Sequence, residues 1–373
     1  MTSAWVANKL GYFEELCLNA TLPVYQSGAP QVYDIDTKWS IGNTGGVPNI
    51  NPGVTTGVLK TVGINNDESK TNALVANPKG LEAWAGILEA GTLGDTKISL
   101  TGNSTAEFVV EKCLEKYNVS FDPAANFVYD GDQISIFESL SNPDEAFGAL
   151  WAPELYSAVN MWGMESIVCN GDEAGARVIG TVIASNANEA SETTFETAAL
   201  GIAAYLKGVT FFKENPEQAK EYLNEFYVEY GYAALSPEAL DIEFSRPLYN
   251  LEEQLEMMAK NENNVSTLGS WLQETVNFML EGGMIDSPLN AEDFIDDKYM
   301  QWIAANETLA KWTMRLESVE ETSAPVSPPA TTPQPTPPLP APTATTEAPS
   351  SGNMVFLAYW GGFVAAVLNY MFM

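Results

Sequence analysis

Residues 100–119 read LTGNSTAEFVVEKCLEKYNV. The run from Lys97 to Leu100 suits a strand. Gly102, Asn103, Ser104 and Thr105 then break it, and Ala106, Val109, Val110, Cys113, Leu114 and Tyr117 recur at helical spacing. Ser104 and Glu107 stand three apart, the spacing of a capping box. A helix therefore starts directly behind the turn. The small polar residues at its tip either cap it or hold a ligand, because a helix N-terminus carries free N–H groups and partial positive charge that suit an anion. On this stretch alone the cap is the simpler reading.

Working outward, the same alternation recurs. Strands are expected at 38–42, 59–63, 71–76, 97–100, 126–129, 146–151 and 178–184. Helices are expected at 78–88, 105–117, 133–140, 192–214, 216–230 and 266–281. Strands alternating with helices predict an α/β fold with largely parallel sheets, and the last third of the globular part is nearly all helix.

The chain of 373 residues allows about two domains, and 45% hydrophobic residues suffice for real cores. With 17 basic against 49 acidic residues the formal charge is −32. Nucleic acid and anionic membrane surfaces need basic patches, so neither is expected as a partner. The charge suits a secreted protein in a salty medium, where screening weakens self-repulsion. An anionic ligand would need a local pocket of N–H and hydroxyl donors. The chain has no histidine, which excludes Ser-His-Asp and Cys-His catalysis and histidine-based zinc sites. Cys17, Cys113 and Cys169 are far apart and form no CxxC. One disulfide with a free thiol and three buried thiols both fit. No metal or cofactor is expected.

The composition changes near Ser318. From Thr322 to Asn353 the chain reads TSAPVSPPATTPQPTPPLPAPTATTEAPSSGN. Such a segment cannot build a core and is expected to be an extended stalk, O-glycosylated in a secreted eukaryotic protein. Residues 354–373, MVFLAYWGGFVAAVLNYMFM, carry no charge and are long enough to span a bilayer. No basic residue follows them, which disfavours a stop-transfer helix. Thr343-Ala344-Thr345 followed by a polar spacer matches the attachment pattern of a glycosylphosphatidylinositol anchor, with Ser350-Ser351-Gly352 as a second candidate. A cleaved anchor signal is favoured over a retained transmembrane helix. N-x-S/T sequons at Asn19, Asn103, Asn118, Asn264 and Asn306 lend weak support to a secreted glycoprotein. A sugar on Asn103 would crowd the turn, so that sequon is expected to be unused. The opening MTSAWVANKLGYFEEL reads as an amphipathic helix with no export signal, so an incomplete N-terminus is expected.

Several segments together resemble the substrate-binding proteins of ABC importers for taurine, aliphatic sulfonates and nitrate. In chain order they are AWVANKLGYFEEL (4–16), WSIGNTGGVP (39–48), LVANPKGLEAW (74–84), LTGNSTAEFVVEKCL (100–114), GALWAPEL (148–155), RPLYNLEEQLEMM (246–258) and WLQETVNFMLEGGMI (271–285). The resemblance covers nearly the whole globular part. It implies a periplasmic-binding-protein-like fold of two α/β lobes hinged around a ligand cleft. The same superfamily includes proteins like thiamine-pyrimidine synthase. Lobe 1 is expected at 1–95 plus 186–317, without its first strand, and lobe 2 at 96–185. A stalk (318–353) and a hydrophobic tail (354–373) follow.

The resemblance also implies a site. Asn43, Thr44, Gly45 and Gly46 would face Asn103, Ser104 and Thr105 across the cleft, with the glycines letting the backbone approach a ligand. Trp151 would line the cleft, although a core tryptophan at a turn explains it equally well. Glu154 could hold an ammonium group or simply be a solvated carboxylate at a helix start. Residues 177–184, RVIGTVIA, lack the acidic residue that taurine binders place there. The implied function is capture of a small anionic or zwitterionic solute at the outer membrane face for uptake, beside a transporter or receptor. The alternative is an enzyme or a non-transport surface protein on the same scaffold. Pyrimidine-synthase chemistry consumes a histidine that this chain lacks. A thiol enzyme is disfavoured, because Cys113 falls on the apolar helix face and Cys17 has no histidine partner.

Overall fold

A computed structural model of the protein describes residues 2–25, 28–130 and 132–315. The stalk and the hydrophobic tail expected at 318–373 lie outside the described residues. The chain opens on α1 (Thr2–Lys9) and builds β1 (Ile41–Gly45) and β2 (Leu59–Asp67). It crosses to a second sheet at β3 (Asn72–Ala76). There it continues through α2 (Pro78–Ala90), β4 (Ile98–Leu100), α3 (Thr105–Lys116), β5 (Phe127–Tyr129), α4 (Gln133–Ser139), β6 (Phe147–Trp151), α5 (Glu154–Trp162) and β7 (Ile167–Asn170). It returns at β8 (Ile179–Ser185). The remainder is helical: α6 (Glu192–Glu214), α7 (Pro216–Glu229), α8 (Pro237–Phe244), α9 (Leu251–Met258), α10 (Thr267–Glu281), α11 (Lys298–Ala305) and α12 (Glu307–Met314).

Each sheet is the centre of one lobe. The first has the order β1-β8-β2 and the second β5-β4-β6-β3-β7. The α/β class is as expected, but the sheets are not largely parallel. β8 runs antiparallel to both β1 and β2, and β3 runs antiparallel to β6 and β7. Only β4 pairs in parallel, with β5 and β6. The reason is the double crossing. β1, β2, β4, β5 and β6 end at the crevice, whereas β3 and β8 arrive from the other lobe and leave the crevice in the opposite sense. The same fact corrects the lobe boundaries. β3 and α2, expected in lobe 1, belong to the second sheet, and β8, expected in lobe 2, is the central strand of the first. The sequence pattern marks the crossing strands but not the sheet each one joins.

The two crossings are stitched together beside the crevice. Glu68 donates its N–H to the Val178 carbonyl (2.7 Å), and Val178 returns one to Ser69 Oγ (3.0 Å). The Asp67 carboxylate accepts from the Ser69 N–H (2.9 Å) and pairs with Arg177. The helices form where capping allows. Asn77 accepts from the Gly80 N–H, Pro78 stands in the first turn of α2, and Gly91 closes it in the left-handed region. β7 was not expected from sequence. Its residues IVCN are too few for an alternation to register, and it holds Cys169. Cys169 forms a disulfide with Cys113 on α3, while Cys17 is exposed, so the open alternatives resolve to one disulfide and one free thiol.

Lobe 1 packs Ile64, Val182, Ile202, Val209, Leu272 and Met300 around its sheet. Lobe 2 packs Leu74, Leu100, Val110, Leu114 and Phe147 on one face, and Val75, Ile136, Leu150 and Leu155 on the other. The lobes also touch directly. Phe108 on α3 meets Phe278 on α10 with ring centroids 4.8 Å apart, and Tyr156 on α5 packs edge-on against Tyr227 on α7.

Candidate functional site

Between the lobes lies a crevice of about 1050 Å³. It forms where the strands of both sheets end, the general position for ligands in open α/β sheets. Asn43, Thr44, Gly45, Asn103, Ser104, Thr105, Trp151 and Glu154 all line it. Gly46 does not. It is buried at the start of a short helical turn, and a Cβ there would lie 3.4 Å from the Ile179 carbonyl and 3.5 Å from Thr275 Oγ1, inside lobe 1. Its neighbours Gly45, Val47 and Pro48 line the crevice while Gly46 itself faces the lobe interior.

β1 itself starts and ends three residues later than expected. Small polar residues such as Asn43 and Thr44 have little strand preference, yet backbone pairing with β8 holds them extended up to Gly45. The Thr44 carbonyl accepts from Thr181 Oγ1 (3.0 Å). Its own hydroxyl is buried and has no hydrogen-bond partner among the described residues. A buried hydroxyl costs free energy when unpaired. This one lies at the crevice wall beneath Gly28, where an added Cβ would come within 2.6 Å of it.

The turn before α3 is used differently. Ser104 donates its hydroxyl to the Thr101 carbonyl (2.6 Å) and caps the Glu107 N–H. Asn103 takes the left-handed conformation (φ 55°) and donates its N–H to Glu107 Oε2 (2.6 Å). Glu107 Oε1 accepts from the Tyr129 hydroxyl (3.0 Å). Thr105 Oγ1 donates to Asn72 Oδ1 (2.9 Å). The hydroxyl protons of Ser104 and Thr105 are therefore spent within lobe 2, and a buried carboxylate of the same helix already faces the tip. What the turn presents to the crevice is hydroxyl lone pairs and the remaining first-turn N–H groups.

The rest of the wall came less readily from sequence. Trp151 ends β6, half-buried, with its backbone N–H donated to Gln133 Oε1 (2.8 Å). Glu154 opens α5, only 6% exposed although it lines the crevice. Burial pushes its carboxyl up to about 7. Its own N–H opposes this and the like charge of Asp132 adds to it. Tyr232 stands near enough that Glu154 helps burial push the phenol up to about 12. Arg246 was missed. It pairs with the buried Glu243 and stands 3.7 Å from Glu68. With its amide set to satisfy both neighbours, Asn66 accepts from Arg246 (2.9 Å) and donates to Glu68 (3.1 Å). The signal available was a lone arginine heading RPLYN in an acidic chain, and the aromatic run FYVEYGY (226–232) for the tyrosines.

The fold agrees with known structures. The aliphatic sulphonate binding protein SsuA of Escherichia coli superposes with a TM-score of 0.60 at 14% identity, over 80% of this chain and 96% of that one. The chain has the periplasmic-binding-protein fold. A second alkanesulfonate-binding protein with this fold, SsuA of Xanthomonas axonopodis pv. citri bound to MOPS, gives a TM-score of 0.57 at 12% identity over 79% and 94% of the two chains. A Candida albicans protein with the generic periplasmic binding protein fold gives 0.53 at 12% identity over 79% and 92%. No protein-family model and no curated protein sequence matches the chain. At these identities the likeness establishes the fold, and the crevice described above occupies the place between the lobes of that fold.

Proposed function

We propose that the protein binds a small organic anion or zwitterion, such as taurine or an aliphatic sulfonate, and hands it to an importer or receptor for uptake. The observation that carries this reading is the buried, unpartnered Thr44 hydroxyl on the wall of a crevice lined from both lobes. Neutral donors such as Thr44 and Asn43 are the means by which a protein of charge −32 can hold an anionic head group. The sulfonate ligands of the two bacterial neighbours are consistent with this chemistry. Binding without turnover suits a chain that has no histidine and has committed two of its three cysteines to a disulfide.

The disulfide also suits an oxidising compartment, in keeping with a place on the outer face of the membrane and an anchor at the C-terminus. Phosphatidylinositol-specific phospholipase should release the mature protein from membranes. Retention of residues 354–373 in the membrane-bound form, read by mass spectrometry, would overturn the cleaved anchor.

A thermal-shift screen with sulfonates, nitrate, phosphonates and pyrimidines should find a ligand that raises the melting temperature by mass action. Calorimetry with the best ligand should then show Thr44→Val weakening affinity by roughly tenfold, the loss of one hydrogen bond to a charged group. No shift with any compound, or an unchanged affinity in Thr44→Val, would overturn the reading.

A further inference from the structure

We propose that the contact between α3 and α10 is a pH-sensitive gate between the lobes, worked by Glu111 on α3 and Glu281 on α10. The gate stands on the packing of the lobes alone. Its consequence for a solute, easier exit from the crevice as pH rises, rests on the crevice being a solute site.

The lobes meet in two kinds of contact. Between α5 and α8 polar groups join them: Tyr156 donates its hydroxyl to the buried Glu243, and Asn160 Oδ1 accepts the Ser236 N–H (2.9 Å). Between α3 and α10 the buried rings of Phe108 and Phe278 meet, and among the described residues no hydrogen bond or ion pair joins the two helices. About one turn beyond each ring stands a carboxylate, Glu111 after Phe108 and Glu281 after Phe278. Glu111 is half-buried and Glu281 exposed.

The charge around Glu111 is mostly of its own sign. On α3, Glu107 and Glu115 flank it a turn away on either side, and Lys112 is paired with Glu115 (2.8 Å). On β5, the Tyr129 phenol feels the Glu111 charge. On the short helix Gly171–Ala174, which packs against α3, Asp172 and Glu173 are exposed. On α10, Glu281 acts on Glu111 from the other lobe. Burial pushes the Glu111 carboxyl up to about 7, Glu107, Glu115 and Glu281 add to this, and Lys112 opposes it.

The sign of the gate follows. Below about 7 Glu111 is neutral and the aromatic contact holds. Above it, Glu111 carries a charge that is partly out of water and repelled by Glu281, and parting of the helices relieves both. The proton is bound more tightly in the joined state, so joining is favoured at low pH and weakens as pH rises through about 7. If parting returned the carboxyl to its usual 4.5, the opening equilibrium would rise about tenfold between about pH 6 and about pH 8. Glu107 and Glu115 stay beside it in either state, so a severalfold rise is expected.

Hydrogen exchange of the intact, unliganded protein reads the gate. Peptides from α3 and α10 are followed by mass spectrometry at about pH 6 and about pH 8. Rates are corrected for the chemical exchange of free amides and referenced to α2, which touches neither helix. Opening in the wild type should rise severalfold in α3 and α10 at the higher pH. Glu111→Gln should remove the rise. Glu281→Lys changes an exposed residue and sets a cation opposite Glu111, so it should shrink the rise. No rise in the wild type, a rise that survives Glu111→Gln, or the full rise in Glu281→Lys would overturn the proposal. Because no solute is present, a failed gate leaves the solute reading of the crevice standing, and failed solute binding leaves the gate standing.

Discussion

Glu154 has two consequences at the scale of one residue. Its carboxyl titrates near 7 when folded against a usual 4.5, because burial penalises the charge. Between those values the unfolded chain has lost the proton that the folded protein keeps. Stability of the unliganded protein therefore falls as pH rises from about 4.5 to about 7, by roughly 3 kcal/mol in all. Glu154→Gln removes that term. The variant should melt higher than the wild type at about pH 8 and the same at about pH 4. An equal gain at both, measured by thermal melts without ligand, would show that the carboxyl is not the cause. Sequence placed Glu154 at a helix start correctly and left its role open, because burial is a property of the crevice and not of the APEL stretch around it. Arg246 and Tyr232 went unnoticed for the same reason: they meet the β6–α5 corner only after the chain has folded back over several helices.

Elements show where local signals suffice. α3 begins at Thr105 with Ser104 as its cap, as the LTGNSTAEF stretch predicts, because the cap and the apolar spacing both lie inside one short window. β2 is the opposite case. Its ladder with β8 shifts register between Ile64 and Asn66, and the buried backbone of Ile64 on the free edge of β2 is paired by a side chain from 190 residues away. Gln254, fully buried on α9, accepts the Ile64 N–H (2.8 Å) and donates to its carbonyl (2.5 Å). Gln254→Leu should leave both groups orphaned, at about 1–3 kcal/mol each, far more than an ordinary surface change. Denaturant unfolding measures this. A loss below about 0.5 kcal/mol would mean that β2 satisfies itself another way. Nothing in the sequence of β2 announces this dependence, since the partner is a glutamine in an amphipathic helix.

On the scale of the whole molecule, two lobes share a stitched pair of crossings, and one lobe carries its own covalent brace. The Cys113–Cys169 disulfide ties α3 to β7 across a separation of 56 residues and does not bridge the lobes. Replacing both cysteines by serine should lower stability by about 2–4 kcal/mol through the unfolded state. Because both cysteines lie in lobe 2, ligand affinity per folded molecule should be unchanged. A melting temperature equal to that of the wild type would refute the brace, and lost affinity in a folded variant would mean that the brace also positions the crevice. The sequence by itself determined the α/β class, the helix starts, the break near Ser318 and the strand-end turns that became the crevice wall. Each of these is written in a window of a few residues, where spacing and capping chemistry decide. The tertiary structure alone decided that β3 and β8 exchange lobes and run antiparallel, that Cys113 finds Cys169, and that Glu154 is left without a cation. Those outcomes depend on which distant residues arrive at the same place, and periodicity along the chain carries no record of that.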